Sequence, residues 1–292
     1  MKLGSVINVL YRLQCIYKSF LCPGAVFPSI NHHLGNSDMG VVISIVSQKG
    51  GVGKTTTAVN LSAALAAAEK EVLLVDLDPQ GNATSGLGID KTKLKKSIYH
   101  GIIGDADPCE IITESSIECL KLLPARMELF RAELELMSRP DKEKRLLNFL
   151  AHLRGTYEYI LVDAPPSLSL LTFNAITAAD FLLIPLQCEF YALGAVSQMI
   201  QVVQVLKRRL NPRLRIAGIL LTMFNPKEDS CLQIAESARE QFSNMLFKTI
   251  IPENSDLKNA PAHGEPVLLQ DIRSPGSRCY FNLAEEILNL SH

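Results

Sequence analysis

The sequence predicts an α/β protein whose doubly wound, mostly parallel sheet carries helices on both faces. Short β-branched and apolar runs alternate along the chain with longer helical patterns, which is typical of βαβ units. The short runs are uniformly apolar, as strands are when both faces of a parallel sheet are buried. Apolar residues make up 47% of the 292 residues, enough for a large core around such a sheet.

Six strands and five helices are expected from this alternation. The strand segments are residues 41–46, 72–75, 159–162, 181–185, 216–221 and 247–251. The helical segments are residues 55–68, 139–153, 194–210, 231–242 and 277–290. The third helix is expected to stop before Asn211-Pro212, because the proline ring disfavours the helical conformation at the preceding residue. Residues 90–118 have the weakest periodicity and are expected to run over the surface.

The first 38 residues precede the first predicted strand. Arg12 and Lys18 interrupt their apolar stretch, which is too broken for a secretory signal or a membrane span. Met39 stands directly before the strand. Residues 1–38 are therefore interpreted as a poorly ordered extension or a mis-called start, with a partner-binding arm as the alternative. Residues 39–292 contain no repeat or flexible linker and are expected to form one domain.

The overall charge and the cysteines exclude several classes of protein. The 29 basic and 30 acidic residues nearly cancel, so a nucleic acid or an anionic membrane would have to be bound by a local patch. The cysteines form no Cys-x-x-Cys pair and no Cys/His cluster at zinc spacing, which indicates reduced thiols in a cytoplasmic protein. These residues are Cys15, Cys22, Cys109, Cys119, Cys188, Cys231 and Cys279.

A glycine-rich loop, Gln-Lys-Gly-Gly-Val-Gly-Lys-Thr-Thr, follows the first strand and precedes an alanine-rich helix. Glycines let the backbone fold around phosphate oxygens, and the helix N-terminus offers free N–H groups. Lys54 is expected at the β- and γ-phosphates and Thr55 at Mg²⁺. A purely structural turn would not require this lysine and threonine beside the last glycine. The predicted nucleotide-binding residues of the loop are Gly50, Gly51, Val52, Gly53, Lys54, Thr55 and Thr56.

The loop departs from the common P-loop pattern, since Gln48 replaces its first glycine and Lys49 stands early in the loop. In this respect it resembles the deviant Walker A motif of the ParA/MinD group of P-loop ATPases. The resemblance implies that Lys49 reaches across a nucleotide-sandwich homodimer to the phosphates of the partner subunit. It also implies ATP and Mg²⁺ as cofactors, catalytic roles for Lys49 and Lys54, and slow hydrolysis by a monomer.

Two aspartates, Asp76 and Asp78, follow the second strand at positions i and i+2. Two like charges this close need a cation or hydrogen bonds to compensate them, and a magnesium–nucleotide site would do so. The family resemblance implies that Asp78 orients the attacking water and that Asp76 supports the magnesium shell. A simple turn at Asp78-Pro79 is the alternative, although it does not explain the pair.

A third aspartate, Asp163, ends the apolar strand at residues 159–162 and precedes Ala-Pro-Pro-Ser. Alone this is a common arrangement, but after a phosphate loop it indicates a Walker B carboxylate that holds a water on Mg²⁺. The proline-rich turn at residues 164–167 is then expected to sense the γ-phosphate.

The resemblance extends to the small chromosomal ParA (Soj-like) proteins. It runs from about residue 41 to residue 290 and is carried by residues 80–88, 185–195, 221–225, 251–254 and 260–268. It implies an ATP-bound homodimer that coats DNA without sequence preference and is released when a ParB-type centromere-binding partner stimulates hydrolysis. Such a protein would be associated with the nucleoid. The resemblance also implies adenine contacts by Asn225, Pro252 and Asn254.

The chain differs from its family at positions that usually contact DNA. Lys227 and Lys258 remain there, but acidic residues surround them: Glu228, Asp229, Asp256 and Glu265. Because non-specific DNA affinity comes from cations, binding is expected to be weak or to use another basic cluster. The sequence offers one such cluster, which would otherwise be an ordinary solvated face: Lys207, Arg208, Arg209, Arg213 and Arg215.

Two other functions stay open. A MinD-like ATPase acting at a membrane would need a basic amphipathic C-terminal helix, but residues 282–292 contain no Lys or Arg, so no membrane partner is expected. An iron–sulfur reductase would need a supporting motif around Cys188 and Cys231, which is absent from the sequence. The prediction is a partition ATPase for a chromosome or plasmid; the alternative is a cargo- or division-site-positioning ATPase that acts without DNA.

Overall fold

A computed structural model describes residues 39–290, and the predicted extension at residues 1–38 lies outside the described part. Its eight-stranded sheet has the order β3-β4-β2-β5-β1-β6-β7-β8, and all pairs are parallel except β3 with β4. The strands are β1 (Val41–Ile45), β2 (Val72–Asp76), β3 (Thr113–Glu114), β4 (Leu120–Leu123), β5 (Tyr159–Asp163), β6 (Phe181–Gln187), β7 (Arg215–Phe224) and β8 (Leu246–Pro252).

Helices connect the strands and cover the sheet. Short 3₁₀ turns lie at Lys91–Lys93, Lys142–Lys144 and Ser243–Met245. The α-helices are α1 (Lys54–Ala67), α2 (Asn82–Gly86), α3 (Ile98–Ile103), α4 (Pro108–Ile111), α5 (Leu129–Leu136), α6 (Arg145–Ala151), α7 (Leu170–Ala178), α8 (Ala192–Arg209), α9 (Asp229–Phe242), α10 (Ser255–His263), α11 (Val267–Gln270) and α12 (Pro275–Leu290).

Two apolar cores lie on opposite faces of the sheet. Successive strand side chains point to opposite faces, so Val42 joins one core while Ile43 joins the other. The first core is closed by α3 to α9, and the second by α1, α2 and α10 to α12. The second face is also tied by polar contacts, since Val267 N donates to Asn60 Oδ1 at 2.8 Å. The predicted doubly wound sheet with helices on both faces is confirmed.

Two local predictions are wrong. Residues 90–118 do not simply cross the surface, because Ile98 and Ile102 of α3 are fully buried in the first core. The helix expected at residues 139–153 begins only at α6. Pro140 disfavours helical backbone at the residue before it, and the Asn174 side chain accepts from Leu146 N at 3.0 Å in the first turn of α6.

The strand order brings three loops to one edge of the sheet. Strand β5 lies between β1 and β2, and the three run parallel. The residues that follow β1 and β2, and the end of β5, therefore meet beyond the carboxyl ends of the strands, where such sheets bind ligands. Between residues 39 and 290, none of the helices combines the length and apolar character needed to cross a membrane.

Candidate nucleotide site

The phosphate loop follows β1 and has the backbone shape its glycines allow. Gly51 and Gly53 have φ angles of 77° and 85°, in the left-handed region that other residues rarely adopt. A Cβ atom at Gly51 would meet no other atom within 4 Å, so open space lies beside this part of the loop. Thr222 of β7 supports the loop from behind, since its hydroxyl donates to Val52 O at 3.0 Å.

The N-terminus of α1 points its free amides into this loop. The helix starts at Lys54, directly after Gly53, and its N-cap forms no side-chain hydrogen bond. Its first turn also contains no acidic residue that would compete for an anion. A 14-residue helix with such an end is a binding site for phosphate, because uncapped N–H groups and the helix dipole both favour negative charge. Thr55 and Thr56 lie in the same turn.

The Lys54 side chain is buried within the site. The residue is 6% exposed, and its Nζ donates to Lys49 O at 3.2 Å. Burial lowers the pKa of the Lys54 amine, because desolvation disfavours its charged form, while the nearby Asp163 and Asp78 carboxylates oppose this shift. A triphosphate would add negative charge beside this amine and favour its charged form.

Asp163 is a fully buried carboxylate at the end of β5. Neither of its oxygens has a hydrogen-bond partner of ordinary geometry within residues 39–290, although the Thr55 hydroxyl is near enough to lower its pKa. Burial is the main influence and raises the pKa well above its usual range, with a further contribution from Asp76. A buried carboxylate without partners is costly unless a ligand or ion compensates it.

Asp76 is equally buried but well hydrogen-bonded. Its Oδ2 accepts from both the backbone N and the hydroxyl of Thr84 at 2.7 Å, and its Oδ1 accepts from Asp78 N at 3.2 Å. Burial raises the pKa of Asp76 to about 6 even though these hydrogen bonds lower it. The Thr84 hydroxyl also accepts from Ala125 N at 3.0 Å, which ties the segment after β2 to the segment after β4.

Asp78 lies at the mouth of a neighbouring cleft. Its Oδ1 accepts from Gln80 N at 2.9 Å, so the side chain is held by its own turn. The cleft has a volume of about 220 Å³ and is lined by residues of three segments, including Asp78, Pro165, Pro166 and Phe130. The proline-rich turn after Asp163 therefore shares a cleft with Asp78.

Lys49 extends from the loop toward the segment after β6. Its amine forms an ion pair with Glu189, and the two side chains are 42% and 51% exposed. Gln187 Nε2 donates to the other oxygen of the same carboxylate at 2.5 Å. The side chain of Lys49 therefore extends away from the phosphate loop of its own chain and lies at the rim of the site. Sequence reasoning missed Glu189, which lies 140 residues away along the chain.

A second cavity adjoins the loop at Gly53 and Thr56. It has a volume of about 140 Å³, and the predicted adenine contacts Pro252 and Asn254 line it. Asn225 does not line it, because its side chain is turned to Glu228, with Nδ2 to Oε1 at 2.9 Å. Sequence reasoning did not assign four other lining residues to this site: Thr222, Met223, Leu257 and Tyr280.

The predicted basic cluster lies away from the phosphate loop. Residues Lys207, Arg208 and Arg209 form the last turn of α8, and Arg215 starts β7, at the amino edge of the parallel sheet. Within residues 39–290 no acid lies within ion-pair distance of the cluster, while Arg215 stacks over the Phe181 ring at 5.5 Å. Lys258, by contrast, is paired with Glu253 at 2.7 Å, which reduces its availability to a phosphate backbone.

Known proteins are similar to this chain in sequence and in fold. The model of the AAA domain family matches residues 40–216, more than half of the chain. The sporulation initiation inhibitor protein Soj of Bacillus subtilis (strain 168) is 47% identical over 249 residues, which are 85% of this chain and 98% of Soj. The chromosome partitioning protein ParA of Myxococcus xanthus (strain DK1622) is 45% identical over 87% of this chain and 90% of its own.

Solved structures agree with this relationship. Cobyrinic acid a,c-diamide synthase from Mycobacterium smegmatis, with a bound ATP analogue and magnesium, superposes with a TM-score of 0.76 at 32% identity, covering 86% of this chain and 95% of that one. The cell division ATPase MinD of Pyrococcus furiosus gives a TM-score of 0.73 at 28% identity over 86% of this chain and 100% of its own. With two relatives above 40% identity over nearly their whole length, the chain belongs to the Soj/ParA family of chromosome-partitioning ATPases.

Proposed function

We propose that this chain is a magnesium-dependent ATP switch that partitions DNA: it dimerises with ATP, binds DNA without sequence preference, and leaves when a ParB-type partner stimulates hydrolysis. Residues 39–292 form the ATPase unit in this proposal. The observation that carries it is the combination, at one edge of the sheet, of an uncapped helix N-terminus with a buried carboxylate, Asp163, that has no hydrogen bond of ordinary geometry.

Magnesium fits the residues at this edge. Within the described chain no group of three or more His, Cys, Asp or Glu side chains could hold a metal alone, which suits Mg²⁺, since this ion keeps several waters and uses substrate phosphates as ligands. Thr55 and Asp163 are the proposed magnesium residues, Asp163 by way of a water. Asp76 supports the same shell from its hydrogen-bonded position. When bound, the ion would neutralise charge on the phosphate oxygens.

Each remaining site residue has one proposed role. Lys54, together with the backbone of Gly50 to Thr56, binds the phosphates, and Asp78 orients the attacking water. Lys49 acts on the phosphates of the partner subunit; its position at the rim, 42% exposed, supports this role because it can leave Glu189 for a stronger negative charge. Pro252 and Asn254 contact adenine. Asn225 follows the end of the adjacent strand, β7, and becomes a further adenine contact only if its hydrogen bond to Glu228 breaks.

DNA binding in this proposal depends on the basic cluster at the end of α8. Arg208, Arg209, Arg213 and Arg215 are exposed, and their cations can release counterions from a duplex. The acidic residues beside Lys227 and Lys258 leave the family's other contact region with little net positive charge.

Retention on DNA tests the proposal. Binding to a random-sequence duplex is measured with ATP, ADP and no nucleotide across a salt series. We expect binding with ATP alone, which falls as salt rises, and a shallower salt slope for Arg208→Ala/Arg209→Ala. The matched control is Lys144→Ala, an exposed lysine outside the cluster, which keeps the wild-type slope. No binding at low salt with ATP contradicts the DNA role.

One observation favours a second function. Acidic residues stand where the family usually contacts DNA, and the fold is shared with the cell division ATPase MinD of Pyrococcus furiosus. An ATPase that positions a protein cargo without DNA would show ATP-dependent dimerisation but no DNA retention at low salt. The same salt series therefore separates the two functions.

A further inference from the structure

The turn that carries Asp78 is closed by its own hydrogen bonds. Asp78 Oδ1 accepts from Gln80 N at 2.9 Å, and Asp78 O accepts from Gly81 N at 2.8 Å. The second bond makes residues 78–81 a β-turn, and the first ties the carboxylate to the same turn. Both bonds are local, so they set the shape of the turn but do not attach it to a more distant part of the chain.

Lys91 contacts this turn from outside it. Its Nζ donates to Gln80 O at 2.8 Å and to Gly81 O at 3.3 Å, from a position 11 residues after Gln80. The side chain is half-buried, and its stem lies so close that a Cβ atom at Gly81 would be 2.7 Å from Lys91 Cδ. Gly81 has a φ angle of 65°, so glycine serves here both the backbone conformation and the close approach of the lysine.

The contact is directed at the backbone and at no acidic side chain. Between residues 39 and 290, no carboxylate lies within ion-pair distance of the Lys91 amine, whereas Lys93 in the same 3₁₀ turn pairs with Asp90 at 3.4 Å. Asp90 Oδ1 also accepts from Thr92 N at 3.0 Å, which fixes the start of the 3₁₀ turn. Ordering a lysine side chain costs much rotamer freedom, so the two carbonyl oxygens must compensate for it.

One peptide unit connects Lys91 to Asp78. The carbonyl of Gln80 and the N–H of Gly81 belong to the same planar group, so the amine that binds the carbonyl also sets the direction of the N–H. That N–H donates to Asp78 O. A cation on the carbonyl further polarises the N–H and strengthens its hydrogen bond.

We propose that Lys91 is a positioning residue for ATP hydrolysis, which holds the turn at residues 78–81 so that the Asp78 carboxylate keeps its orientation toward the attacking water. The inference rests on the proposed role of Asp78 and adds the residue that keeps this carboxylate in place. Lys91 acts on the chemical step through Asp78. It does not touch the phosphate loop, so nucleotide binding is independent of it.

Steady-state hydrolysis tests the inference. The kcat and KM for ATP are measured for the parent, Lys91→Met and Lys91→Arg, at a protein concentration above which the rate per molecule no longer rises. We expect Lys91→Met to lower kcat by at least about fivefold, because a small displacement of a reacting group from its productive geometry slows the chemical step strongly. The KM and the affinity for a non-hydrolysable ATP analogue should stay unchanged. Lys91→Arg, which keeps a cation on a stem of similar length, should restore most of the lost kcat.

Two controls separate positioning from a general loss of structure. Lys93→Met changes the neighbouring lysine, whose side chain is 82% exposed, and should leave kcat at the parent value. The unfolding temperature of Lys91→Met should stay near that of the parent, because Gln80 is exposed and its carbonyl can bind water instead.

Three results overturn the inference: an unchanged kcat in Lys91→Met, an equal loss in Lys91→Arg, or a loss of analogue affinity as large as the loss of kcat. Asp78→Ala, measured beside these variants, separates the inference from the proposed function. If Asp78→Ala hydrolyses ATP at the parent rate, the proposed role of Asp78 fails and the role of Lys91 fails with it. If Asp78→Ala is slow while Lys91→Met is as fast as the parent, only the inference about Lys91 fails.

Discussion

Asp76 and Asp163 are register partners at the carboxyl ends of β2 and β5, yet only Asp76 is hydrogen-bonded. Thr84 and the backbone N of Asp78 donate hydrogen bonds to Asp76, while the two buried oxygens of Asp163 have no hydrogen-bond partner of ordinary geometry within residues 39–290. The folded chain therefore keeps one buried carboxylate charge without a hydrogen bond of ordinary geometry, with the Lys54 amine as a nearby cation. Such a group is usually retained because a ligand uses it.

The first prediction concerns the cost of that charge. Asp163→Asn should raise the thermal unfolding temperature of the nucleotide-free protein, because a buried carboxylate without hydrogen bonds costs on the order of 1–3 kcal/mol. The same substitution should remove the additional stabilisation that magnesium gives with ATP. Thermal unfolding with and without Mg²⁺ and ATP measures both effects.

The control for this prediction is Asp180, a half-buried carboxylate that has hydrogen-bond partners. Asp180 Oδ2 accepts from Val42 N and from Arg154 Nη1, both at 2.8 Å, so Asp180→Asn should lower the unfolding temperature. If both substitutions lower the unfolding temperature of the nucleotide-free protein equally, the missing hydrogen bonds of Asp163 do not reduce the stability of the folded chain.

The second prediction follows from the sign of the pKa shifts. Burial raises the folded-state pKa of Asp76 to about 6 and that of Asp163 well above the unfolded value of 3.8. Between the unfolded and folded values the folded chain binds more protons, so this contribution to stability falls as pH rises. The stability difference between Asp163→Asn and the wild type should therefore shrink as pH is lowered from 8 toward 5. Unfolding temperatures of both proteins across that range measure it, and a difference that grows on acidification contradicts it.

The third prediction concerns Thr84, whose hydroxyl links Asp76 to Ala125. Thr84→Val keeps the side-chain shape but leaves the buried Ala125 N without a partner and removes one of the two hydrogen bonds to Asp76 Oδ2, which should lower the free energy of unfolding by about 1–3 kcal/mol. Thr84→Ser retains the hydroxyl and should lose much less. Denaturant unfolding of the two variants gives the comparison; equal losses would mean that the methyl group, and not the hydrogen bonds, matters.

The phosphate loop and the three aspartates could be predicted because each is marked by a short motif at a strand end. The contacts that hold these residues in place could not be predicted from the sequence. Thr84, which hydrogen-bonds Asp76, lies in the next helix, α2. Glu133 of α5 accepts a hydrogen bond from Leu171 N at 3.4 Å. Leu171 lies in the first turn of α7, a helix that the sequence pattern did not indicate. Helix α7 is apolar on nearly every side, so it shows no amphipathic period.

The fourth prediction concerns Lys54. Lys54→Met should reduce ATP binding and hydrolysis by roughly a hundredfold or more, because the buried amine is the cation nearest the uncapped helix end. The unfolding temperature of the nucleotide-free protein should change little, since burial already disfavours the charged amine. Nucleotide titration and calorimetry measure the two quantities. Normal ATP affinity in this variant would show that the phosphates lie elsewhere.

In the proposed ATP-dependent dimer, Lys49 contacts the phosphates bound by the partner subunit. Sedimentation equilibrium with saturating ATP and Mg²⁺ is measured for Asp78→Ala and for Asp78→Ala/Lys49→Ala. We expect a stable dimer for the first protein and a monomer that still binds ATP for the second. A monomeric Asp78→Ala protein under these conditions, or an equally stable dimer without Lys49, would contradict it.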